Sequence, residues 1–190
     1  MSRFFWVRHG PTHAKAFVGW TDMPADLSDM AQIERLAAYL PEDALVISSD
    51  LSRARDTANA LAGPRRRLPD APGLREINFG EWESQHFSNI QDQKHLRAFW
   101  EEPGTLRPPG GESWDEMCAR INEVVDRLIM ECPGRDIIAV AHMGAILTQL
   151  QRASGKTAYA TLAQKIDNFA ITEITCGDAG WQVGVINHLP

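Results

Sequence analysis

Residues 4–11 read Phe-Phe-Trp-Val-Arg-His-Gly-Pro: four large apolar residues, then a cation, an imidazole and two residues that turn the chain. The apolar part is typical of a short strand buried on both faces, and Gly-Pro ends such a strand. In an open α/β sheet, ligands bind beyond the carboxyl ends of the strands. Arg8 and His9 are therefore candidate site residues, although an ordinary turn with a solvated Arg and a hydrogen-bonded His fits this stretch alone equally well.

The remaining patterning predicts the fold class. Residues 44–48 (Ala-Leu-Val-Ile-Ser) and 137–141 (Ile-Ile-Ala-Val-Ala) predict two more buried strands. Helical spacing of apolar residues follows each predicted strand, and Ser28 is the predicted N-cap of the first helix. Residues 169–187 alternate like two strands joined by a Gly-Asp-Ala-Gly turn. We therefore expect an α/β fold, a three-layer α/β/α sandwich with a mostly parallel central sheet and an antiparallel edge.

Length and composition favour a single domain spanning 1–190. With 44% hydrophobic and 23% charged residues, the chain is long enough to bury a core. Residues 84–111 combine a modest helical pattern with a Pro- and Gly-rich segment, and we expect them to form a small cap. Residues 113–116 (Ser-Trp-Asp-Glu) form a capping box that begins a long amphipathic helix. The Arg run at 65–67 is expected to be a solvated loop or strand edge.

Several classes of protein are disfavoured. A net charge of −6 argues against nucleic acid as a partner. The three widely spaced cysteines fit no zinc or disulfide pattern and favour a reduced, cytoplasmic setting. Neither a membrane-spanning run nor a signal peptide is recognisable, so we expect a soluble protein without a membrane partner. His9 and His13 are separated by Gly-Pro, which breaks any helix, and no phosphate-loop motif occurs. We therefore expect neither a metal nor a cofactor.

Reactive side chains stand where the three predicted parallel strands end. The first strand ends in Arg8-His9, the second leads into a helix with Arg53 in its first turn, and the third ends at His142. Because neighbouring parallel strands share their carboxyl edge, we expect these four residues to converge. Taken one at a time, these residues also have non-functional explanations. Arg53 fits a surface position on a helix, and His142 fits a core histidine whose ring nitrogens are hydrogen-bonded.

Two histidines and two arginines together fit a phosphoryl group. Guanidinium forks match phosphoryl oxygens bidentately, and they disfavour protonation of a neighbouring imidazole. A neutral imidazole facing phosphorus is a nucleophile. The second imidazole, if protonated, would donate to the charge on the transferring group.

The leaving alkoxide of such a reaction needs an acid. Residues 74–83 (Leu-Arg-Glu-Ile-Asn-Phe-Gly-Glu-Trp-Glu) mix acidic and large apolar residues without a clean period, which is typical of a functional loop. This loop offers Glu76, Glu81 and Glu83. Their spacing does not choose among them.

Together these segments resemble the signatures of the histidine phosphatase superfamily, which includes the cofactor-dependent phosphoglycerate mutases and the α-ribazole phosphatases. The segments that carry the resemblance are 8–12, 48–58, 74–83, 109–113 and 141–144. The resemblance implies that His9 is transiently phosphorylated and that Glu76 is the acid–base group. It implies that Arg8, Arg53 and His142 hold the phosphoryl group, and that hydrolysis needs no metal or organic cofactor.

The chain departs from the family pattern at two positions. Lys15 stands where many members have Asn, and there it could contact phosphate or face solvent. Met143 replaces the glycine that commonly follows the second His, and we expect it to narrow the pocket. With Thr12 of the signature, these residues complete the predicted substrate-binding set.

The predicted function is hydrolysis of a small phosphorylated metabolite. The stretch after Glu83 is short compared with the mutases, so water is the expected acceptor. The alternatives are a mutase-type phosphotransferase and a non-catalytic module that binds a phospho-ligand. Four aromatic residues could offer contact surface to a nucleoside-like or ribazole-like leaving group: Trp20, Trp82, Phe87 and Trp100. Packing in the core or in the cap explains them at least as well.

Overall fold

The computed structural model describes residues 1–190 and confirms the α/β class. The elements in chain order are β1 (Ser2–Arg8), α1 (Met30–Tyr39), β2 (Leu45–Ser48), α2 (Ser52–Ala62), α3 (Gln93–Glu101), α4 (Trp114–Glu131), β3 (Asp136–Ala141), α5 (Met143–Ser154), α6 (Ala158–Leu162), β4 (Ile171–Gly177) and β5 (Gly180–Val183). Single turns of 3-10 helix lie at Pro72–Leu74, Gly80–Trp82 and Phe87–Asn89. No helix combines the length and the apolar character that crossing a membrane would require.

The five strands form one sheet in the order β2-β3-β1-β4-β5. β1 and β2 each pair in parallel with β3, whereas β4 is antiparallel to β1 and β5 is antiparallel to β4. This confirms the predicted mostly parallel sheet with an antiparallel edge. The register places Arg8 opposite Ala141 and Ser48 opposite Val140. The carboxyl ends of the three parallel strands therefore meet at one edge.

The central position of β1 explains its apolar sequence. Phe4 and Trp6 belong to the hydrophobic cluster on one face, together with residues of α4 and α5. Phe5 and Val7 belong to the cluster on the other face, together with residues of α1 and α2. A strand with period-two side chains and helices on both faces must be apolar throughout. Helix layers on both sides of the sheet make the predicted three-layer sandwich.

Of the two predicted helix N-caps, the one of α4 is confirmed and the one of α1 is displaced by one residue. The capping box of α4 is confirmed, since Ser113 Oγ accepts from the Glu116 N–H and Glu116 accepts from the Ser113 N–H. The predicted N-cap Ser28 is wrong by one residue. Asp29 caps α1 instead, because its Oδ1 accepts a hydrogen bond from the backbone N–H of Gln32 at 3.0 Å.

The arginine run at 65–67 is not simply solvated, which corrects the prediction. Val46 of the edge strand β2 donates its N–H to Arg66 O, and Leu68 donates its N–H to Val46 O. The segment thus covers the open edge of the sheet. The Arg65 guanidinium donates to carbonyl groups at the ends of α1 and α2, which have no partner inside a helix. These carbonyls belong to Ala37, Leu40, Pro41 and Leu61.

The predicted cap, residues 84–111, contains the Phe87–Asn89 turn and α3. Its buried side chains Ile90, Leu96 and Phe99 belong to the same hydrophobic cluster as α4 and α5. The cap therefore packs on the main core through a continuous apolar contact, and it places Phe87 beside the site described next.

Candidate active site

A cavity of about 210 Å³ lies at the carboxyl edge of the parallel strands. Arg8 and His9 line it from the end of β1, and Arg53 lines it from the first turn of α2. His142 follows β3, and its ring centroid lies 5.1 Å from that of His9. The structure thus brings together the four residues that the strand ends predicted. Three larger surface cavities lie elsewhere, and among them a histidine, His95 of α3, lines only one, which contains no arginine.

His9 is a buried imidazole with a defined tautomer. Its Nε2 accepts a hydrogen bond from Nε of Arg53 at 3.2 Å, because a guanidinium group can only donate. The proton of the neutral ring is therefore on Nδ1, which lies 2.6 Å from the carbonyl oxygen of Gly10. Burial, together with the positive charges of Arg53 and Arg8, lowers the pKa of His9 to about 3. His9 is neutral near pH 7, with its lone pair on Nε2.

His142 is fully buried, and neither of its ring nitrogens has a hydrogen-bond partner within the protein. Burial, then His9 and Arg53, lowers the pKa of His142 well below its ordinary value. This shift favours the neutral ring in the protein without an anion, so the condition named from the sequence, a protonated second imidazole, is not met there. Unsatisfied buried polar atoms are rare and costly. A phosphoryl oxygen would provide a partner, and its negative charge would favour protonation of the ring.

The two arginines are held by backbone carbonyl groups. Arg53, 1% exposed, donates from Nη1 to Thr21 O at 3.0 Å and from Nη2 to Gly19 O at 2.6 Å. Arg8 donates from Nη1 to Ile166 O at 2.6 Å, and its Nε is buried without a partner. Burial lowers the pKa of both guanidinium groups, yet arginine stays charged in proteins. Two desolvated cations at one edge are suited to binding an anion.

Glu76 is the one member of the predicted glutamate trio that lines this cavity. It is 8% exposed, and its Oε2 accepts a hydrogen bond from the Gly144 N–H at 3.0 Å in the first turn of α5. Its Oε1 accepts from the Ile77 N–H at 3.0 Å. A Cβ atom at Gly144 would clash with Glu76 Oε1. The absence of a side chain at position 144 thus leaves room for the Glu76 carboxylate to lie against the first turn of α5.

The other two glutamates are placed differently. Glu81 is exposed and lines a separate surface cavity. Glu83 anchors the loop that orients Arg53, because its carboxylate accepts the backbone N–H groups of Gly19, Trp20 and Thr21 at 2.7–3.2 Å. This anchoring role could not be read from the sequence, since the two segments are more than sixty residues apart.

Two further supporting residues escaped the sequence analysis. Arg120 of α4 donates to the carbonyl oxygens of Arg75 at 3.0 Å and Glu76 at 3.3 Å, and it pairs bidentately with Glu112. Asn168 donates its side-chain amide to the carbonyl oxygen of His9 at 2.8 Å. Neither residue lies in a distinctive local pattern. Their roles follow only from the packing of distant segments.

The predicted substrate-binding residues divide into two groups. Thr12 and Met143 line the cavity. Lys15 is exposed and does not line it, so the structure does not support the predicted contact with phosphate.

The aromatic candidates also divide. Phe87 and Trp100 line the cavity. Trp82 is 4% exposed and packs in the core, and the Trp20 indole donates to Glu76 O at 2.8 Å.

No three His, Cys, Asp or Glu side chains are grouped so that they could hold a metal ion. The polar residues of the cavity are dominated by guanidinium and imidazole groups, and guanidinium groups repel cations. The donor set is therefore suited to an anion.

Comparison with known proteins finds relatives over most of the chain. Residues 4–188 match the model of the histidine phosphatase superfamily, branch 1. The adenosylcobalamin/alpha-ribazole phosphatase of Escherichia coli (strain K12) is 27% identical over 174 residues, which are 87% of this chain and 85% of that protein. The Bifunctional protein Rv2228c of Mycobacterium tuberculosis is 30% identical over 162 residues, 80% of this chain, but the match spans only 44% of its length.

A similar fold is found among solved structures. The mycobacterial glucosyl-3-phosphoglycerate phosphatase Rv2419c superposes with a TM-score of 0.83 at 26% identity, over 99% of each chain. Phosphatases that act on small phosphorylated compounds are therefore among the relatives of this chain.

Proposed function

The chain belongs to the histidine phosphatase superfamily, and on that basis we propose that it hydrolyses a phosphomonoester through a phosphohistidine on His9. One observation carries the proposal. The lone pair of His9 Nε2 is held by Arg53 in the cavity that Arg8 and Glu76 also line. This arrangement supports the proposal because His9 as nucleophile, Arg8 and Arg53 as anion-binding groups and Glu76 as proton donor would all face one small volume.

In the first step, the Arg53 Nε–H exchanges His9 Nε2 for a phosphoryl oxygen, and the freed lone pair of Nε2 attacks phosphorus in line with the ester oxygen. The Nε2–P bond forms while the P–O bond to the alcohol breaks. Glu76, in its carboxylic acid form, gives its proton to the departing oxygen, so the alcohol leaves neutral. A bound phosphoryl anion beside the carboxyl group favours this protonated form.

In the second step, water is the acceptor. Glu76, now a carboxylate, takes a proton from water as the oxygen attacks phosphorus, and the Nε2–P bond breaks to release inorganic phosphate. Glu76 serves as the acid in the first step and as the base in the second, because the proton transfer of the second step is the reverse of that in the first. His9 returns to its neutral form, and Glu76 again carries its proton.

The remaining residues stabilise charge on the transferring group. Arg8 and Arg53 bind its equatorial oxygens, and His142, protonated when the anion is bound, donates a further hydrogen bond. Removing one such preorganised donor typically costs about 10²–10³ in rate. Thr12 and Met143 contact the substrate beside this group.

The experiment is product analysis with two substrates, p-nitrophenyl phosphate and 3-phosphoglycerate, with and without a chelator. From p-nitrophenyl phosphate we expect inorganic phosphate equimolar with the alcohol, unchanged by the chelator, and its loss in the His9→Ala variant. His95→Gln is the control, because His95 lies on α3 and does not line the cavity. Isomerised phosphoglycerate without free phosphate would instead establish a mutase, and phosphate binding without turnover would establish a binding module.

A further inference from the structure

We propose that the alcohol released from the substrate is uncharged and mainly apolar, and that the outer part of the cavity is a subsite for it. This inference rests on the proposed function and names the substrate class. Eight of the thirteen residues lining the cavity are hydrophobic. They are Ala14, Ala16, Phe17, Val18, Phe79, Phe87, Trp100 and Met143.

The ionisable lining residues all belong to the phosphoryl end. They are Arg8, His9, Arg53 and Glu76, which the proposed mechanism already uses. The one further lining residue, Thr12, is neutral. A carboxylate or second phosphate on the leaving group would therefore lie against apolar side chains with no cation of its own. Burying an unpaired charge is strongly unfavourable.

The cations near this end are the two arginines that the proposed mechanism assigns to the phosphoryl group. Arg53 donates from all three of its nitrogens, to His9 Nε2 and to two backbone carbonyl groups. Arg8 is held by Ile166 O. Lys15, the nearest lysine in sequence, is exposed and outside the lining. The cavity thus offers positive charge for one phosphoryl group.

An aromatic cluster forms the apolar wall. The ring of Phe17 lies 4.3 Å from that of Phe87 and is stacked at 7° on Trp100, with 6.2 Å between centroids. Phe79 lies 4.7 Å from Phe17 on another side. Phe87 lies in the 84–111 segment and is 51% exposed. Because its exposed ring also lines the cavity, Phe87 offers apolar contact surface to the leaving group of a bound substrate.

The size of the cavity limits the substrate further. At about 210 Å³ it is smaller than the sites that enclose drug-sized ligands, which are about 300–1,000 Å³. A single ring or a short alkyl chain attached to the phosphoryl group fits these dimensions. The structure therefore favours a compact aromatic or alkyl phosphate.

The test compares three synthetic esters that share a primary aliphatic linkage: 2-phenylethyl, 3-hydroxypropyl and 2-carboxyethyl phosphate. Their leaving alcohols have similar basicity, so differences in kcat/KM report the subsite. We expect phenylethyl phosphate to exceed carboxyethyl phosphate by about 100-fold, with hydroxypropyl phosphate between them. Equal or faster turnover of the carboxyethyl ester would overturn the inference and leave the proposed function intact.

The subsite is then tested by the Phe87→Ala variant, which changes a half-exposed side chain and is expected to fold. We expect its kcat/KM for phenylethyl phosphate to fall about 10-fold while that for hydroxypropyl phosphate changes less than about 2-fold. Lys15→Ala is the matched control, and it should leave all three values unchanged.

Two further results would count against the inference. An equal loss on all three esters in Phe87→Ala, or a selective loss on the carboxyethyl ester in Lys15→Ala, would contradict the apolar subsite. Absence of turnover of every ester, together with no trapped phosphoenzyme, would contradict the proposed function itself and the inference with it.

Discussion

Nε of Arg53 donates a hydrogen bond to Nε2 of His9 across 3.2 Å, and this contact fixes which nitrogen of the imidazole can react. This contact depends on a series of hydrogen bonds that begins at Glu83. Glu83 holds the backbone N–H groups of Gly19 and Thr21, whose carbonyl groups in turn hold Arg53. The proposed nucleophile is thus oriented from a loop, residues 19–21, that does not itself line the cavity.

Arg53→Lys should impair phosphate release severely. Lysine cannot keep the planar three-way contact with His9 and two carbonyl groups, nor bind a phosphoryl group bidentately. We expect kcat/KM to fall about 100-fold or more. Arg55→Lys, two residues along α2, is the control, because Arg55 is half-exposed and pairs only with the adjacent Asp56. Similar losses in both variants would contradict the role of Arg53.

Glu83→Gln tests the support of Arg53. An amide cannot accept all the backbone N–H groups that the carboxylate accepts, so the 19–21 loop should loosen and Arg53 should lose its fixed orientation. We expect kcat to fall about 10-fold with the melting temperature lowered by a few degrees. Glu81→Gln is the matched control, since Glu81 is exposed and has no comparable contacts. An unchanged kcat in Glu83→Gln would show that Arg53 is held without this anchor.

Gly144→Ala should displace the Glu76 carboxylate, because the added Cβ would clash with its Oε1. If Glu76 protonates the leaving oxygen, the loss must depend on the leaving group. We expect kcat for an alkyl phosphate to fall about 100-fold, and that for p-nitrophenyl phosphate about 10-fold or less, because nitrophenolate leaves without a proton. Glu76→Gln should show the same pattern. Equal losses on both substrates would indicate general damage to the site.

The folded protein should lose stability as the pH falls below about 6.5. The pKa of His9 is about 3 in the folded state against 6.5 ordinarily, and that of His142 is lowered as well. Between these pKa values the unfolded chain binds more protons than the folded protein, so the free energy of unfolding rises with pH. The stabilising contribution of the two neutral histidines is complete above about pH 6.5. The slope is up to about 1.4 kcal/mol per pH unit for each histidine.

Urea unfolding at pH 7.0, 6.0 and 5.0 measures this slope. Replacing His9 by Gln should reduce it, because one titrating group is removed. A free energy of unfolding that does not change over this range would contradict the neutral, buried state of both rings. The range stays above the region where most carboxylates titrate, so their contribution is small.

The strand ends could be predicted because local pattern and topology agree there. Continuous apolar runs marked β1, β2 and β3, and a parallel sheet brings their carboxyl ends to one edge whatever the details of packing. Arg8, His9, Arg53 and His142 therefore converge as expected. The capping box of α4 was equally readable, because both of its hydrogen bonds lie within four residues of sequence.

The rest of the site depends on contacts between distant segments. Arg120 lies on the polar side of an amphipathic helix, where a solvated arginine would look the same, and its carbonyl partners are about 45 residues away. Arg65 was misjudged for the same reason, since nothing local shows that two helix ends surround it. The position of Lys15 is set by a loop whose path no periodicity predicts.

The most direct test of the account is to trap the phosphorylated enzyme. Substrate labelled with ³²P is mixed with the protein and quenched within milliseconds, and the phosphoryl linkage is located by peptide mapping. The account predicts an acid-labile, base-stable phosphoryl group on Nε2 of His9, absent from His9→Ala and present in His95→Gln. Labelling of another residue, or phosphate release at the full rate from His9→Ala, would contradict it.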